Sequence, residues 1–181
     1  VDNYAEWGRR GGWSSSSGRG WANLSNAPFR MYKRYTHEGG VATPLIVHWP
    51  AGVKGKGALR HAPSHLIDIA PTCLAAAGLE GEGMEGESLL PVFAKDQKQE
   101  RTLFWEHEGN RAVRKGDYKL VAMHNTPWEL YDMSKDRSEL KDLASAMPKK
   151  TTELRSAWEA WAKRVGAKPW DEVNVKKKKK K

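Results

Sequence analysis

The stretch FRMYKRYTHEGGVATPLIVHWP, Phe29 to Pro50, passes from a cluster of cations through Glu38-Gly39-Gly40 and a residue preceding Pro44 into Leu45-Ile46-Val47. A short β-branched apolar run bounded by glycine and proline reads as a buried strand. The two glycines predict a positive-φ turn, tied by Glu38 through backbone N–H groups. His48 alternates with apolar residues on the same strand and is expected as a core histidine. A charged side chain delivered just before a buried strand is a common way of mounting a site on a rigid support, and Lys33 holds that position.

Working outward, residues 1 to 27 are rich in Gly, Ser and Trp without a sustained period, and read as a long loop. Downstream, Ser64 to Ala77 carries an apolar stripe at Leu66, Ile69, Cys73, Leu74 and Ala77. Pro71 interrupts it, so the expectation is a turn through Asp68, then a helix opened by Pro71 and stopped by Gly78. Cys73 on that stripe reads as a core thiol. Pro63 between His61 and His65 argues against their sharing a helical face.

From Arg101 the period becomes that of strands: Leu103-Phe104-Trp105, Arg111 to Arg114, Tyr118 to Met123 and Trp128 to Tyr131, with Lys115-Gly116-Asp117 as a hairpin turn. Residues 150 to 165 place Leu154, Ala157, Trp158, Trp161, Ala162 and Val165 on one helical face, with Gly166 as the stop. Four antiparallel strands and one helix make a small α+β layer.

The formal charge of +9 suggests polyanions, but six of the charges are Lys176 to Lys181, and the body holds 25 basic against 22 acidic residues. That terminal run is a solvated tail or a polyanion contact. The nine tryptophans lie in separate segments rather than in a stacking row with arginines, and no P-loop, dinucleotide fingerprint or nucleic-acid motif is present, so specific nucleic-acid binding is not expected. Apolar runs stop well short of the roughly 20 residues that cross a bilayer, so a soluble chain is expected. With Cys73 the lone cysteine, there is no internal disulfide and no cysteine metal cluster.

Lys33, Glu38-Gly39-Gly40, Thr43-Pro44 and Trp49-Pro50, followed in order by Asp68-Ile69-Ala70-Pro71-Thr72, Glu85-Gly86-Glu87-Ser88-Leu89-Leu90-Pro91 and Glu129-Leu130-Tyr131-Asp132, resemble the C-terminal half of the type I sulfatases. These are formylglycine-dependent enzymes of the alkaline phosphatase superfamily, and the resemblance runs from about Asp2 to Trp170. It implies an α/β fold: the last part of an alkaline-phosphatase-like α/β sandwich over residues 1–95 and a small α+β subdomain over 96–170; the charge run adds a disordered basic tail over 171–181. It implies that Lys33 reaches the sulfate group of an aryl or carbohydrate sulfate ester.

Asp2-Asn3 resembles the family's Asp-Asn pair that gives oxygen ligands to Ca²⁺ or Mg²⁺, although Tyr4 stands where a glycine usually follows, and such a pair is also a common turn or cap. His107, ending a strand beside Glu106 and Glu108, could donate to a substrate oxygen or be salt-linked to those carboxylates. The C-x-P-S-R sequence that these enzymes oxidise to formylglycine is not in the chain. Cys73 lies instead in Pro71-Thr72-Cys73-Leu74. The nucleophile is therefore expected upstream, in the first half of the catalytic domain, and the chain alone is expected to be inactive. The family also implies a periplasmic or secreted setting. The alternatives are a phosphomonoester or phosphonate hydrolase of the same superfamily, and a non-catalytic domain with a polyanion-binding lysine tail.

Overall fold

The computed structural model describes residues 18–54, 57–97 and 100–174. Four strands, β1 (Thr102–His107), β2 (Asn110–Lys115), β3 (Tyr118–Ala122) and β4 (Glu129–Asp132), form an antiparallel meander in the order β1-β2-β3-β4. The β2–β3 hairpin turns at Gly116, φ 58°, as Lys115-Gly116-Asp117 predicts. The β1–β2 hairpin turns on only Glu108 and Gly109, both at positive φ (52° and 81°), the geometry of the primed turns that match strand twist. Around the sheet run α1 (Gly18–Ser25), α2 (Glu38–Val41), a 3-10 turn (Leu66–Asp68), α3 (Ile69–Ala76), α4 (Leu90–Ala94), α5 (Pro148–Val165) and α6 (Trp170–Val173). No described helix is long and apolar enough to cross a membrane.

Because side chains alternate along a strand, the sheet has two faces of different chemistry. One carries Val113, Leu120 and Leu130, which α5 covers with Leu154. The expected helical stripe does this packing: Trp161 stacks on Phe104 at 5.1 Å, and the Trp158 indole donates to the Trp105 carbonyl at 3.1 Å. Pro148 opens α5, and Gly166 closes it in the left-handed conformation, φ 70°.

The opposite face carries Ala112, Val121 and Tyr131, and beside them a charge, Lys119, 0% exposed. Lys119 Nζ lies 3.0 Å from Glu38 Oε1 and 2.9 Å from Glu139 Oε1. Glu139 also accepts the Glu38 backbone N–H at 2.9 Å, and Arg137 pairs with Glu38 Oε2 at 3.0 Å. Burial opposes ionisation of Glu38, but Lys119 and Arg137 outweigh it and hold that carboxyl below its usual value. For Glu139 burial prevails over Lys119, and its carboxyl is pushed up.

A second tie lies alongside. Arg30 donates to Glu129 Oε2 at 2.7 Å and to the Tyr131 hydroxyl at 2.8 Å, and Tyr131 itself donates to Glu129 Oε2 at 2.7 Å. His37, 1% exposed, places Nε2 3.4 Å from the same carboxylate, and its buried Nδ1 has no partner among the described residues. The segment from Arg30 to Val41 is thus fastened to the polar face of the sheet.

The Glu38-Gly39-Gly40 expectation is corrected on both counts. Neither glycine is in the positive-φ region; both lie in α2. They are needed for close approach, since a Cβ on Gly39 would run into the Met31 carbonyl oxygen and one on Gly40 into that of Tyr35. Glu38, rather than collecting backbone N–H groups with its carboxylate, neutralises Lys119 and Arg137.

Two further motifs prove to be one structural knot. Asp68, fully buried, receives both terminal nitrogens of Arg101, at 2.8 Å for Nη1 to Oδ1, together with the backbone N–H groups of His65 at 2.6 Å and Glu87 at 3.1 Å. The Thr72 hydroxyl donates to the Asp68 carbonyl at 2.6 Å and accepts the Leu89 N–H at 2.8 Å. A Cβ on Gly86 would collide with the Ile67 carbonyl. Arg101 outweighs the burial that opposes ionisation and keeps the Asp68 carboxyl below its ordinary value. The helix after this knot begins at Ile69, two residues before Pro71, because a proline in the first turn displaces no intrahelical donor.

Other expectations are overturned where the first part of the chain is exposed. Leu45-Ile46-Val47 is not a buried strand. It runs without a ladder, Ile46 is 89% exposed, and His48 is exposed with it. A strand exists by pairing its N–H and C=O groups, and among the described residues no strand lies beside this one. Cys73 is likewise exposed on α3, whose buried residues are Pro71 and Thr72. Within the loop expected over residues 1–27, residues 18–25 form α1, whose turns are supported by side-chain bonds such as Ser25 to the Trp21 carbonyl at 2.8 Å.

Leu154, with no exposed surface, tests the apolar face. Leu154→Ala is expected to cost about 2 to 5 kcal/mol in chemical denaturation; a change under about 1 kcal/mol would mean that α5 does not pack there. His37 tests the polar face. Burial, Arg30 and Lys119 lower its pKa from 6.5 to about 4, against Glu129. As pH falls below 6.5 the unfolded chain therefore takes up a proton that the folded one refuses, and stability drops until about pH 4. Between pH 7 and pH 5 this amounts to about 2 kcal/mol, and it should vanish in His37→Gln. Glu139 acts in the opposite sense over part of this range, so the parent and variant slopes are compared. Equal slopes would show that His37 is not buried neutral.

Candidate functional site

Lys33 is exposed at the crest of the loop between Arg30 and Thr36, and its ammonium has no partner among the described residues. The backbone around it is held in a conformation that ordinary residues avoid. Met31 and Arg34, on either side, have φ of 66° and 91°. Strained residues of this kind persist only where surrounding contacts over-determine them, and they concentrate at functional sites. Here the contacts are explicit. Gly39 N–H donates to the Arg30 carbonyl at 2.9 Å, Tyr35 N–H to the Tyr32 carbonyl at 3.1 Å, and the Tyr32 and Tyr35 rings meet edge to face at 5.3 Å.

The loop also reaches the β1–β2 hairpin, 74 residues on. Arg34 Nε donates to Glu108 Oε2 at 2.6 Å, and the Asn110 side chain donates to the Arg34 carbonyl at 3.1 Å. His107, exposed at the end of β1, pairs in register with Asn110 across that hairpin. The segments bearing Lys33 and His107 are therefore brought side by side. Glu106 and Glu108, the carboxylates beside His107, are engaged elsewhere, Glu106 with the Gly109 N–H at 2.9 Å and Glu108 with Arg34. A cation and an imidazole on adjacent, rigidly supported segments suit an anionic ligand.

Asp2 and Asn3 lie outside the described residues. Among those described, no group of three or more His, Cys, Asp or Glu side chains is gathered to hold a metal ion. A separate groove of about 310 Å³, lined in part by His65, Glu87, Arg101, Phe104, Trp161 and Arg164, includes neither Lys33 nor His107. Two of its cations are already committed, Arg101 to Asp68 and Arg164 to Glu85.

Sequence reasoning missed the residues that hold this site: Arg30, Lys119, Glu129, Glu139 and Asn110. A signal existed for one of them, since Lys119 falls in phase with Val121 on a strand, where a charge demands a buried partner. The identity of that partner was not readable, because Glu38 and Glu139 lie 81 residues before and 20 residues after it.

Among curated proteins the chain is 31% identical over 163 residues to an uncharacterized sulfatase of Schizosaccharomyces pombe, covering 81% of this chain and 29% of that protein. It is 33% identical over 118 residues to mouse N-acetylgalactosamine-6-sulfatase, covering 62% of this chain and 22% of that enzyme. With arylsulfatase K of Danio rerio it shares 33% over 134 residues, 66% of this chain and 25% of the relative. The chain thus spans under a third of the length of these relatives. Among solved structures, that of Ps i-CgsB superimposes with a TM-score of 0.67 at 26% identity, covering 77% of this chain and 34% of that one. Residues 29–161 match the family described as N-sulphoglucosamine sulphohydrolase, C-terminal, the very span that contains the Lys33 loop, the Asp68 knot, the sheet and most of α5, and the chain belongs to this sulfatase family.

Proposed function

We propose that the chain is the C-terminal part of an enzyme that hydrolyses a sulfate monoester, and that Lys33 is the cation that binds the sulfate group. The observation that carries this reading is the loop itself: an exposed ammonium, without a partner among the described residues, between two left-handed residues on a segment tied to buried charges. Cleaving a sulfate ester leaves negative charge on the sulfate oxygens and the departing oxygen, and a pre-positioned cation stabilises it without reorganising. Lys33 is a compact point charge suited to one such oxygen. His107, on the neighbouring hairpin, donates to the substrate. A carbohydrate ester is favoured by the named relatives, which include N-acetylgalactosamine-6-sulfatases, and by Ps i-CgsB, which was also solved with k-i-k-neocarrahexaose.

In this reading residues 1–95 complete an α/β domain whose remaining strands come from upstream, and the exposed Leu45-Ile46-Val47 is the edge that joins them. Residues 96–170 are the α+β subdomain. Asp2 and Asn3 offer the oxygen donors that Ca²⁺ or Mg²⁺ prefers, but two residues do not fill a shell of six or more. The upstream half would supply the other ligands and the formylglycine that serves as nucleophile. The part played by this chain is to bind, orient and neutralise the sulfate.

Two outcomes test this. The 181-residue chain alone should not turn over an aryl sulfate, since a cation without a nucleophile lacks the covalent step; multiple turnover by the pure chain would refute it. In the full-length enzyme, Lys33→Ala should lower kcat and kcat/KM by about 10² to 10³, with Lys33→Arg restoring activity only in part. Lys54→Ala, an exposed lysine on the turn beyond the same stretch, should leave the kinetics unchanged. If the two alanine variants behave alike, Lys33 is a surface lysine.

A further inference from the structure

Asn110 opens β2 and is 7% exposed, and its small amide joins three separate backbone segments. Nδ2 donates to the Arg34 carbonyl at 3.1 Å and to the His107 carbonyl at 2.9 Å, while Oδ1 accepts the His124 N–H at 3.3 Å. Both donors and the acceptor are therefore used, and no other neutral side chain of this size offers that combination. The first of these bonds grips the carbonyl of a residue at φ 91°, next to Lys33; the second grips the carbonyl of His107 itself. The Arg34 side chain adds a parallel link to Glu108, which sits at φ 52° in the same hairpin. The residue adjoining Lys33 is thus held by main chain and side chain alike, while the Lys33 ammonium has no partner among the described residues.

We propose that Asn110 is a positioning residue: by clamping the carbonyls of Arg34 and His107 onto one amide, it sets Lys33 at a fixed place relative to His107. This rests on the reading of Lys33 as the sulfate-binding cation. A displacement of about 1 Å at a reacting centre can cost about 10² in rate, so loosening the clamp should be visible in turnover.

The test is a double-mutant cycle in the full-length enzyme. Asn110→Asp keeps the shape and one acceptor but turns the double donor into an oxygen facing two carbonyls. It should lower kcat by about 10 to 10² with a smaller change in KM, and in the Lys33→Ala background it should cost less than about twofold more. A residue that merely supports the hairpin would cost the same factor in both backgrounds, and that result overturns the proposal. So does an unchanged kcat in Asn110→Asp when Lys33→Ala is impaired, with the Lys33 reading left intact. If Lys33→Ala is itself without effect, the reading and the inference fall together. Glu108→Ala loosens the parallel link at a solvent-facing pair and guards against misfolding of Asn110→Asp. Its smaller loss must likewise disappear in the Lys33→Ala background.

Discussion

The structure depends on a lysine buried in the middle of a sheet. Lys119 has no contact with solvent, and an ammonium removed from water costs several kcal/mol unless it is fully compensated. Compensation comes from Glu38 on one side and Glu139 on the other, and the surplus negative charge of two carboxylates is met by Arg137. A hydrophobic residue at this position could be as stable, but it would accept any apolar cover. The charge accepts only a loop that brings a carboxylate to within 3.0 Å, so it specifies which segment lies on this face and in what register.

That requirement propagates to the site. With Glu38 fixed, Gly39 and Gly40 must pass against the carbonyls of Met31 and Tyr35, which only glycine permits. The loop between Arg30 and Glu38 then has its two ends anchored, one by Glu129 and Tyr131 and the other by Lys119, and must bulge between them. The left-handed Met31 and Arg34 are the form that the bulge takes, and Lys33 is at its outer side. The motifs by which the chain is recognised are thus mostly scaffolding. Glu38-Gly39-Gly40 and the pair formed by Asp68 to Thr72 with Glu85 to Pro91 are knots, and Lys33 is an exposed group without a partner among the described residues.

The two halves differ in how fully the chain satisfies its own surface. Residues 102–165 find cover for both faces of their meander, the apolar one under α5 and the polar one under the Arg30–Val41 segment from earlier in the chain. Residues 43–76 do not, and leave Ile46, Leu66 and Cys73 in solvent. These apolar groups carry strand and helix periods yet face water, and the chain spans under a third of the length of the relatives it matches.

What the sequence determined by itself is whatever depends on neighbours along the chain. The strands from Thr102 to Asp132, the Gly116 turn, and α5 with its Gly166 stop are set by alternation, by the helical period and by local turn chemistry, and they stand where those patterns put them. The resemblance at Lys33 is likewise a local string. Tertiary structure alone decided what is buried: Leu45-Ile46-Val47 and Cys73 carry the pattern of a core yet are exposed, whereas Lys119 on its strand and Asp68 in its turn, both charged, are sealed from water. It also decided which distant groups meet, Lys119 with Glu38 and Glu139, Asp68 with Arg101, and Asn110 with both Arg34 and His107. The physical reason is the same in each case. Periodicity states which way a side chain points, but desolvation and charge compensation depend on what stands opposite, and that is known only once the chain has folded back on itself.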